Sequence, residues 1–144
     1  QSVTNQEKKA YLMRYRTADD EINDLLREKE RIMARLTKMT SAVSNMPHGP
    51  QQPDKLTDGV AAIIELDAKI DRKVDALLDF RQEIETKIAE LKDARMERIL
   101  KMRYLYGYSW NRICVEMAAL QTCYGASERW VYLLHGKALS AIDL

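Results

Sequence analysis

Glycine and proline are scarce in this chain, with five glycines and three prolines among 144 residues. Charged residues make up 31% of the sequence, and this composition is typical of long helices that face solvent. No apolar run approaches the roughly 18 residues of a membrane-spanning helix, and no signal-peptide pattern is recognisable. We therefore expect no membrane partner.

Cysteine is also rare, since Cys114 and Cys123 are the only two. Neither belongs to a metal-binding cluster, and isolated cysteines suit a reducing cytosol, so a cytoplasmic location is expected. We expect both to be small core side chains. The chain also lacks a glycine-rich phosphate loop, a nucleophile beside a base, and metal-ligand spacing. We therefore predict no catalytic site, no metal and no cofactor, and a protein that is not an enzyme.

Two long stripes of apolar residues run through the first two thirds of the chain. Their steps alternate between four and three residues, the pattern of a coiled-coil seam. They predict helices at about residues 6–45 and 55–92, and the Pro-rich loop 46–54 between them is short enough for an antiparallel hairpin. The predicted hairpin or dimer seam consists of Ile22, Leu25, Ile32, Leu36, Ile70, Val74, Leu77 and Ile84.

Extra apolar residues beside the second stripe, such as Ile64 and Leu78, make it wider than a two-helix seam requires. This width predicts self-association, with two hairpins forming a four-helix bundle. Lys29 is the charged residue of the first stripe. Pairing about a turn near residue 51 places it opposite Asp71 and Asp75, so it either bridges to one of them or extends to water. Residues 1–9 are polar and are expected to be frayed.

The last third of the sequence has the periodicity of three short helices. Gly107 suits the left-handed conformation at which a helix ends. Ser109 and Ser127 each offer a hydroxyl to cap the helix that follows. Asp93 could cap the first of the three helices, or the preceding long helix could continue through it. This order of helices is typical of a helix-turn-helix DNA-binding module.

The same stretch carries a family resemblance. The segment RYLYGYSWNRICVEM resembles the pattern R-Y-x-x-G-x-S-W-x-x-I-x-x-x-M of phage-encoded relatives of sigma-factor region 4. ASERWVYLLHGKAL resembles the third helix of those relatives, S-x-R-x-V-x-x-L-H-G-x-A-L. The chain is thus similar to prophage-encoded transcription regulators of Gram-positive bacteria related to the ArpU and RinA late-gene activators.

The predicted architecture is all-α. A long antiparallel coiled-coil hairpin at residues 1–93 would serve oligomerisation, and a sigma-region-4-like helix-turn-helix module at residues 94–144 would bind double-stranded DNA. Residues 94–144 have a net charge of +3 and residues 1–93 one of −2, a division that fits nucleic-acid binding. The resemblance implies a phage or prophage transcription regulator, an activator, that acts as a homodimer in the bacterial cytoplasm, with host RNA polymerase as a further candidate partner.

The DNA-contacting residues are carried over from the motif, on the rule that the first half of a recognition helix enters the major groove. Arg129 would pair with a guanine and Glu128 with a cytosine amine. The predicted base contacts are Ser127, Glu128, Arg129, Tyr132 and Leu133. The predicted phosphate contacts are Arg103, Ser109, Arg112 and Lys137.

One departure from the family pattern affects this prediction. Met117 and Ser127 are ten residues apart, seven more than the family turn allows. Residues 118–124 either extend the second of the three short helices or form a loop. Only a loop keeps the usual geometry in which the module docks on DNA. The alternative function is therefore a protein-interaction module whose altered helix-turn-helix docks on host RNA polymerase or another protein.

Overall fold

A computed structural model describes residues 2–45, 53–120 and 127–144. Within these ranges the chain is all-helical and contains no strand, which confirms the predicted all-α class. The helices are α1 (Asn5–Asn45), α2 (Pro53–Ala89), α3 (Ala94–Leu100), α4 (Trp110–Leu120) and α5 (Glu128–Ala141), and a π-helical turn (Lys101–Leu105) follows α3. Among the described residues, no helix combines the length and the apolar character that crossing a bilayer requires.

The chain divides into two compact units. The terminal unit consists of Gln1–Ala18 and Leu77–Leu144, and the central unit consists of Asp19–Ala76. The predicted division between residues 93 and 94 falls inside the terminal unit. The first four turns of α1 therefore share a unit with α3, α4 and α5.

In the central unit, segments of α1 and α2 run antiparallel. Glu21 Oε1 lies 3.0 Å from Lys73 Nζ, and Gly59 lies against the side chain of Leu36. Partner numbers thus fall along α2 as they rise along α1. Of the predicted seam residues in this unit, Ile22 and Ile70 are buried, whereas Leu25, Ile32, Leu36 and Val74 are half-buried.

Lys29 forms an ion pair, one of the two outcomes that the sequence left open, but with a partner other than the two expected. Its Nζ lies 2.6 Å from Asp67 Oδ1. The predicted partners Asp71 and Asp75 were wrong, because the assumed turn near residue 51 shifts the pairing by one to two helical turns along α2. A half-exposed lysine in this position keeps its apolar stem in the seam and its ammonium group on a carboxylate.

The start of α1 is anchored from Thr4 onwards, which corrects for this part the prediction that residues 1–9 are frayed. The Thr4 hydroxyl accepts from the Glu7 N–H, and the Glu7 carboxylate accepts from the Thr4 N–H, the reciprocal pair of a capping box. Lys8 Nζ then donates to the Ile142 carbonyl at 2.6 Å. Asn5 donates to the Ser140 hydroxyl at 2.9 Å. The Thr4–Glu7 capping box is a local signal that the sequence prediction missed, whereas the contacts of Asn5 and Lys8 join segments that are distant in sequence.

The core of the terminal unit contains side chains from every helix in it. Leu77 and Ile84, both predicted seam residues, are buried here. The remaining buried apolar residues of the unit are Leu12, Tyr15, Ile88, Ile99, Leu100, Met102, Tyr104, Leu105, Ile113, Met117, Val131, Leu134, Ala138, Leu139 and Ile142. Beside this core, Phe80 packs edge-on to Tyr15, with the ring centroids 6.4 Å apart.

The helix ends follow the residues that predicted them. The Asp93 carboxylate accepts from the Arg95 and Met96 N–H groups, so α2 does not continue into α3. Lys92 has a φ of 54° in the break before this cap. Gly107 has a φ of 72°, as expected for the predicted helix stop.

The predicted loop at 46–54 and the inserted segment after Met117 are described only in part. Residues 46–52 and 121–126 lie outside the described ranges, and with them His48 and Cys123. Pro53 and Asp54, placed in the loop from the sequence, instead begin α2, since proline is well tolerated at a first helical position. Helix α4 extends three residues beyond Met117, to Leu120.

Candidate nucleic-acid interface

Helix α5 presents a buried face and an exposed face. The Ser127 hydroxyl caps it by accepting from the Trp130 N–H at 3.1 Å. Its buried face consists of Val131, Leu134, His135, Ala138 and Leu139. The five predicted base-contact residues, Ser127, Glu128, Arg129, Tyr132 and Leu133, are all exposed. Because the Ser127 hydroxyl caps the helix, its oxygen already has one hydrogen-bond partner, the Trp130 N–H.

Glu128 and Tyr132 form a pair on this exposed face. The Tyr132 hydroxyl donates to Glu128 Oε1 at 3.1 Å, and the Tyr132 ring meets Trp110 edge-on with centroids 5.0 Å apart. Desolvation and the neighbouring Glu128 carboxylate raise the pKa of Tyr132. The hydroxyl therefore remains protonated at neutral pH and keeps one Glu128 oxygen occupied.

Arg129 and Lys137 are the two exposed cations of α5. Neither side chain has a hydrogen bond or an ion pair with another described residue. Arg129 is the second residue of the helix, where the positive end of the helix dipole also lies. This end of α5 thus offers an available guanidinium to an anionic or hydrogen-bond-accepting partner.

Two of the predicted phosphate contacts stack on aromatic rings. The Arg103 guanidinium lies 4.6 Å from the centroid of the Trp110 ring and donates to the Tyr108 carbonyl at 3.1 Å. The Arg112 guanidinium lies 3.7 Å from the centroid of the Tyr108 ring. Stacking restricts both side chains, and Arg112 Nε also lies 4.0 Å from Glu116 Oε1. We call Arg103, Tyr108, Trp110 and Arg112 the arginine–aromatic cluster.

The local backbone explains how this cluster is assembled. The Tyr106 N–H donates to the Lys101 carbonyl and the Tyr108 N–H to the Met102 carbonyl, both at 2.9 Å. These wide turns end the helix at Gly107 and bring the Tyr108 carbonyl to Arg103. The Ser109 hydroxyl then accepts from the Arg112 N–H at 3.2 Å, which starts α4. Ser109, a predicted phosphate contact, thus acts as a helix cap in the structure.

A buried, hydrogen-bonded pair, Tyr104 and His135, packs against the arginine–aromatic cluster. The Tyr104 hydroxyl and His135 Nε2 are 2.7 Å apart, and the His135 ring meets Trp110 edge-on at 4.7 Å. Burial lowers the pKa of His135 to about 4 and raises the pKa of Tyr104 to about 12. Both groups are therefore neutral at pH 7, and their hydrogen bond joins the π-helical turn to α5.

The structure brings some predicted site residues together and leaves others apart. Arg103 and Arg112 meet through Tyr108, and Tyr132 joins them through Trp110. No described contact links Arg129, Leu133 or Lys137 to this group. The prediction missed Tyr108 and Trp110 as site residues, although arginines interleaved with aromatic residues at positions 103–112 were the available signal.

Within the described ranges, no three His, Cys, Asp or Glu side chains are grouped so that they could hold a metal ion. Cys114 is half-buried, and desolvation raises the pKa of its thiol. Comparisons of the chain with protein-family models, with curated proteins and with solved structures found no match. A proposal about function therefore depends on the residues described above.

Proposed function

We propose that this protein is a sequence-specific DNA-binding transcription regulator of the kind that phages and prophages encode, acting as an activator and as a homodimer. The observation that carries the proposal is the exposed first half of α5, where Arg129 has no described partner and the opposite face is buried. The net charge of +3 on residues 94–144 supports it further. In this proposal α3–α5 form a helix-turn-helix module, and the paired long helices form a coiled-coil hairpin for assembly.

The proposed roles follow the chemistry of the exposed groups. Arg129 pairs with the O6 and N7 atoms of a guanine, and the unoccupied oxygen of Glu128 accepts from a cytosine amine. Leu133 contacts a thymine methyl group, while Ser127 and Tyr132 contact sugar or phosphate. Arg103, Arg112 and Lys137 neutralise phosphates. Because the arginine–aromatic cluster is stacked in advance, little side-chain entropy is lost when the two arginines bind.

The test is a DNA-binding titration on fragments of the genome that encodes the protein, repeated over a series of salt concentrations. Arg129→Ala should weaken binding to the specific site by about 1–3 kcal/mol and relax the preference at one base position. Lys137→Ala should weaken binding about equally on all sequences and reduce the salt slope by about one.

Arg72→Ala is the matched control, because Arg72 is an exposed cation of the central unit and lies on α2. It should leave binding unchanged. Equal losses in the Arg129 and Lys137 variants would indicate an unspecific basic surface and contradict the proposal. No retardation of any fragment at low salt would contradict it more directly.

A second candidate function is a protein-interaction module that docks on host RNA polymerase. Two exposed apolar side chains favour it, Val115 on α4 at 68% exposure and Leu133 on α5 at 57%. Val115 is not among the proposed DNA contacts, so Val115→Gln separates the two functions. Loss of polymerase capture with unchanged DNA binding would support docking in addition to DNA reading. If Arg129→Ala binds DNA normally but loses polymerase, the second function replaces the first.

A further inference from the structure

One flank of the central unit is apolar although it faces solvent. The described residues of this unit include five large hydrophobic side chains that are 37–64% exposed: Leu26, Met33, Leu56, Val60 and Ile64. Met33, Leu56 and Val60 line a single groove with Leu36 and Ile63. On the helical wheel, Leu26 lies above Met33, seven residues away, and Ile64 lies above Val60, four residues away. We call these five residues the apolar flank.

The polar residues of the groove do not need a partner from outside. The Thr37 hydroxyl donates to the Met33 carbonyl and the Thr40 hydroxyl to the Leu36 carbonyl, both at 2.9 Å. The ion pair between Glu21 and Lys73, which joins α1 to α2, lies outside this groove. The groove therefore suits an apolar helical partner.

The central unit buries little of its own apolar surface. Within the described ranges, Ile22 and Ile70 are the only hydrophobic residues of this unit that are buried. Two helices with a half-exposed seam supply too little burial to offset the entropy of ordering them. A second pair of helices on the apolar flank would supply it, and another copy of this chain brings an identical flank at equal concentration.

The pairing of α1 with α2 locates the middle of this flank. Lys29 lies against Asp67, and Leu36 lies against Gly59. Measured along the helix axes, Ile64 therefore lies opposite Ile32 and one residue away from Met33. Ile64 is also the most exposed residue of the flank, at 64%. A two-fold axis that crosses the helices at this level would bury Ile64 against its own counterpart.

The distribution of charge along α1 favours an antiparallel over a parallel arrangement of the α1 helices of two copies. Residues 19–30 contain six acidic and two basic residues, whereas residues 31–45 contain three basic and no acidic residues. Antiparallel α1 helices bring the acidic half of one copy beside the basic half of the other, and parallel helices bring like halves together. Complementary charge fixes orientation and register more than it adds affinity.

We infer that the apolar flank is the surface through which two copies of this chain associate, with each α1 antiparallel to α1 of the other copy about an axis level with Ile64. The inference rests on the homodimer in the proposed function and specifies its interface. It requires no contribution from the α5 residues that are proposed to contact DNA.

Sedimentation equilibrium of the full chain without DNA tests the interface. The parent protein should be a dimer at micromolar concentration. The double variant Met33→Gln, Ile64→Gln should dimerise at least 100-fold more weakly, because four apolar side chains per dimer become polar. The control Ala34→Gln, Glu65→Gln introduces the same residue at two other exposed positions of the same helices, leaves the charges of α1 intact and should change the dissociation constant less than threefold.

A parent protein that remains monomeric up to 100 μM, roughly the upper range of such an experiment, would overturn the inference, as would equal losses in both double variants. A dimer that binds no DNA would contradict the proposed function and leave this inference standing. A monomer that binds a specific site would overturn this inference together with the homodimer, and would leave the DNA-binding part of the proposed function standing.

Disulfide trapping in a Cys114→Ser, Cys123→Ser background tests the orientation. Ile64→Cys should cross-link to its own counterpart under mild oxidation, since both copies meet at the axis. Thr57→Cys lies one heptad away, which separates the two copies of that position by about 21 Å along the helices, beyond disulfide reach. Cross-linking of both variants would indicate parallel helices, and cross-linking of neither would place the axis elsewhere; each result overturns the proposed orientation.

Discussion

The two units of this protein bury their apolar residues to very different extents. Of the nineteen buried hydrophobic residues in the described ranges, all but Ile22 and Ile70 belong to the terminal unit. The terminal unit combines segments of α1 and α2 with three short helices, so its side chains are enclosed from several directions. The central unit has two helices, and most of its seam stays half-exposed. The number of helices that meet, more than the quality of the apolar pattern, decides how much each stripe is buried.

The largest expected effect comes from a matched pair of core truncations. Ile99 is fully buried, and Ile99→Ala should lower the free energy of unfolding of the terminal unit by about 3 kcal/mol, because a cavity remains. Ile32 is half-buried in the central unit, and Ile32→Ala should cost about 1 kcal/mol.

Both tryptophans, Trp110 and Trp130, belong to the terminal unit. Urea unfolding followed by tryptophan fluorescence therefore reports on that unit, while circular dichroism reports on both. Ile32→Ala should shift only the dichroism transition. A shift of similar size in the fluorescence transition would show that the two units unfold together and would remove the contrast between them.

The second effect is a pH dependence confined to the terminal unit. The pKa of His135 is about 4 in the folded protein and about 6.5 in an unfolded chain. The unfolded state thus binds more protons between these values, so the stabilising contribution is complete above pH 6.5 and is lost as the pH falls towards 4. From pH 7 to pH 5 the fluorescence-monitored stability should fall by about 1–2 kcal/mol.

His135→Asn should flatten this pH dependence, because the titrating group is gone. His48→Gln removes the other histidine of the sequence and serves as the control. The assignment to His135 fails if the dependence survives in the first variant or disappears in the second.

Two glycines of the terminal unit provide a smaller, opposed pair of effects. Gly107 has a positive φ, and a Cβ there would lie about 2.5 Å from the Arg16 guanidinium carbon. Gly107→Ala should destabilise the unit by about 1–2 kcal/mol and weaken the hydrogen bond from Arg16 to the Leu105 carbonyl. Gly136 is in the interior of α5 with open space around it. Gly136→Ala should stabilise by up to about 1 kcal/mol; melting temperatures moving in the same direction would contradict this account.

The smallest effect concerns the ion pair of the central unit. The side chains of Lys29 and Asp67 are 30% and 46% exposed, so Asp67→Asn should cost less than about 1 kcal/mol by dichroism-monitored urea unfolding. Asp71→Asn removes an equivalent charge one helical turn away and should have no measurable effect. The observed register would be questioned if Asp71→Asn were the more harmful substitution.

Local signals in the sequence predicted the helix ends well. Gly107, Ser109 and Ser127 each act through their own backbone or through a side chain that reaches two or three residues along the chain. Such interactions depend only on neighbours in sequence, so a residue type at one position suffices to predict them. The burial of Ile22, Ile70, Leu77 and Ile84 also agrees with the apolar periodicity of the two long helices.

Interactions between segments that are distant in sequence could not be predicted from local signals. The anchoring of Lys8 on the Ile142 carbonyl joins positions 134 residues apart. The pairing of Lys29 with Asp67 depends on where the intervening turn lies, which the Pro-rich segment leaves open by several residues. The same limit applies to the candidate site. Exposure of Arg129 follows from helix phase, whereas the stacking of Arg103 on Trp110 depends on a π-helical turn that has no evident sequence signature.

The anchoring of α1 on the end of α5 also has a consequence for synthesis on the ribosome. The terminal unit is assembled from residues at both ends of the chain, and Lys8 and Asn5 find their partners only at Ile142 and Ser140. Helix α1 is therefore synthesised long before the residues that complete its packing. Its apolar residues Leu12 and Tyr15, which are buried in the folded protein, stay exposed until then. Translation rate and chaperone contact during this interval should influence the yield of folded protein more than they would for a protein whose units are contiguous in sequence.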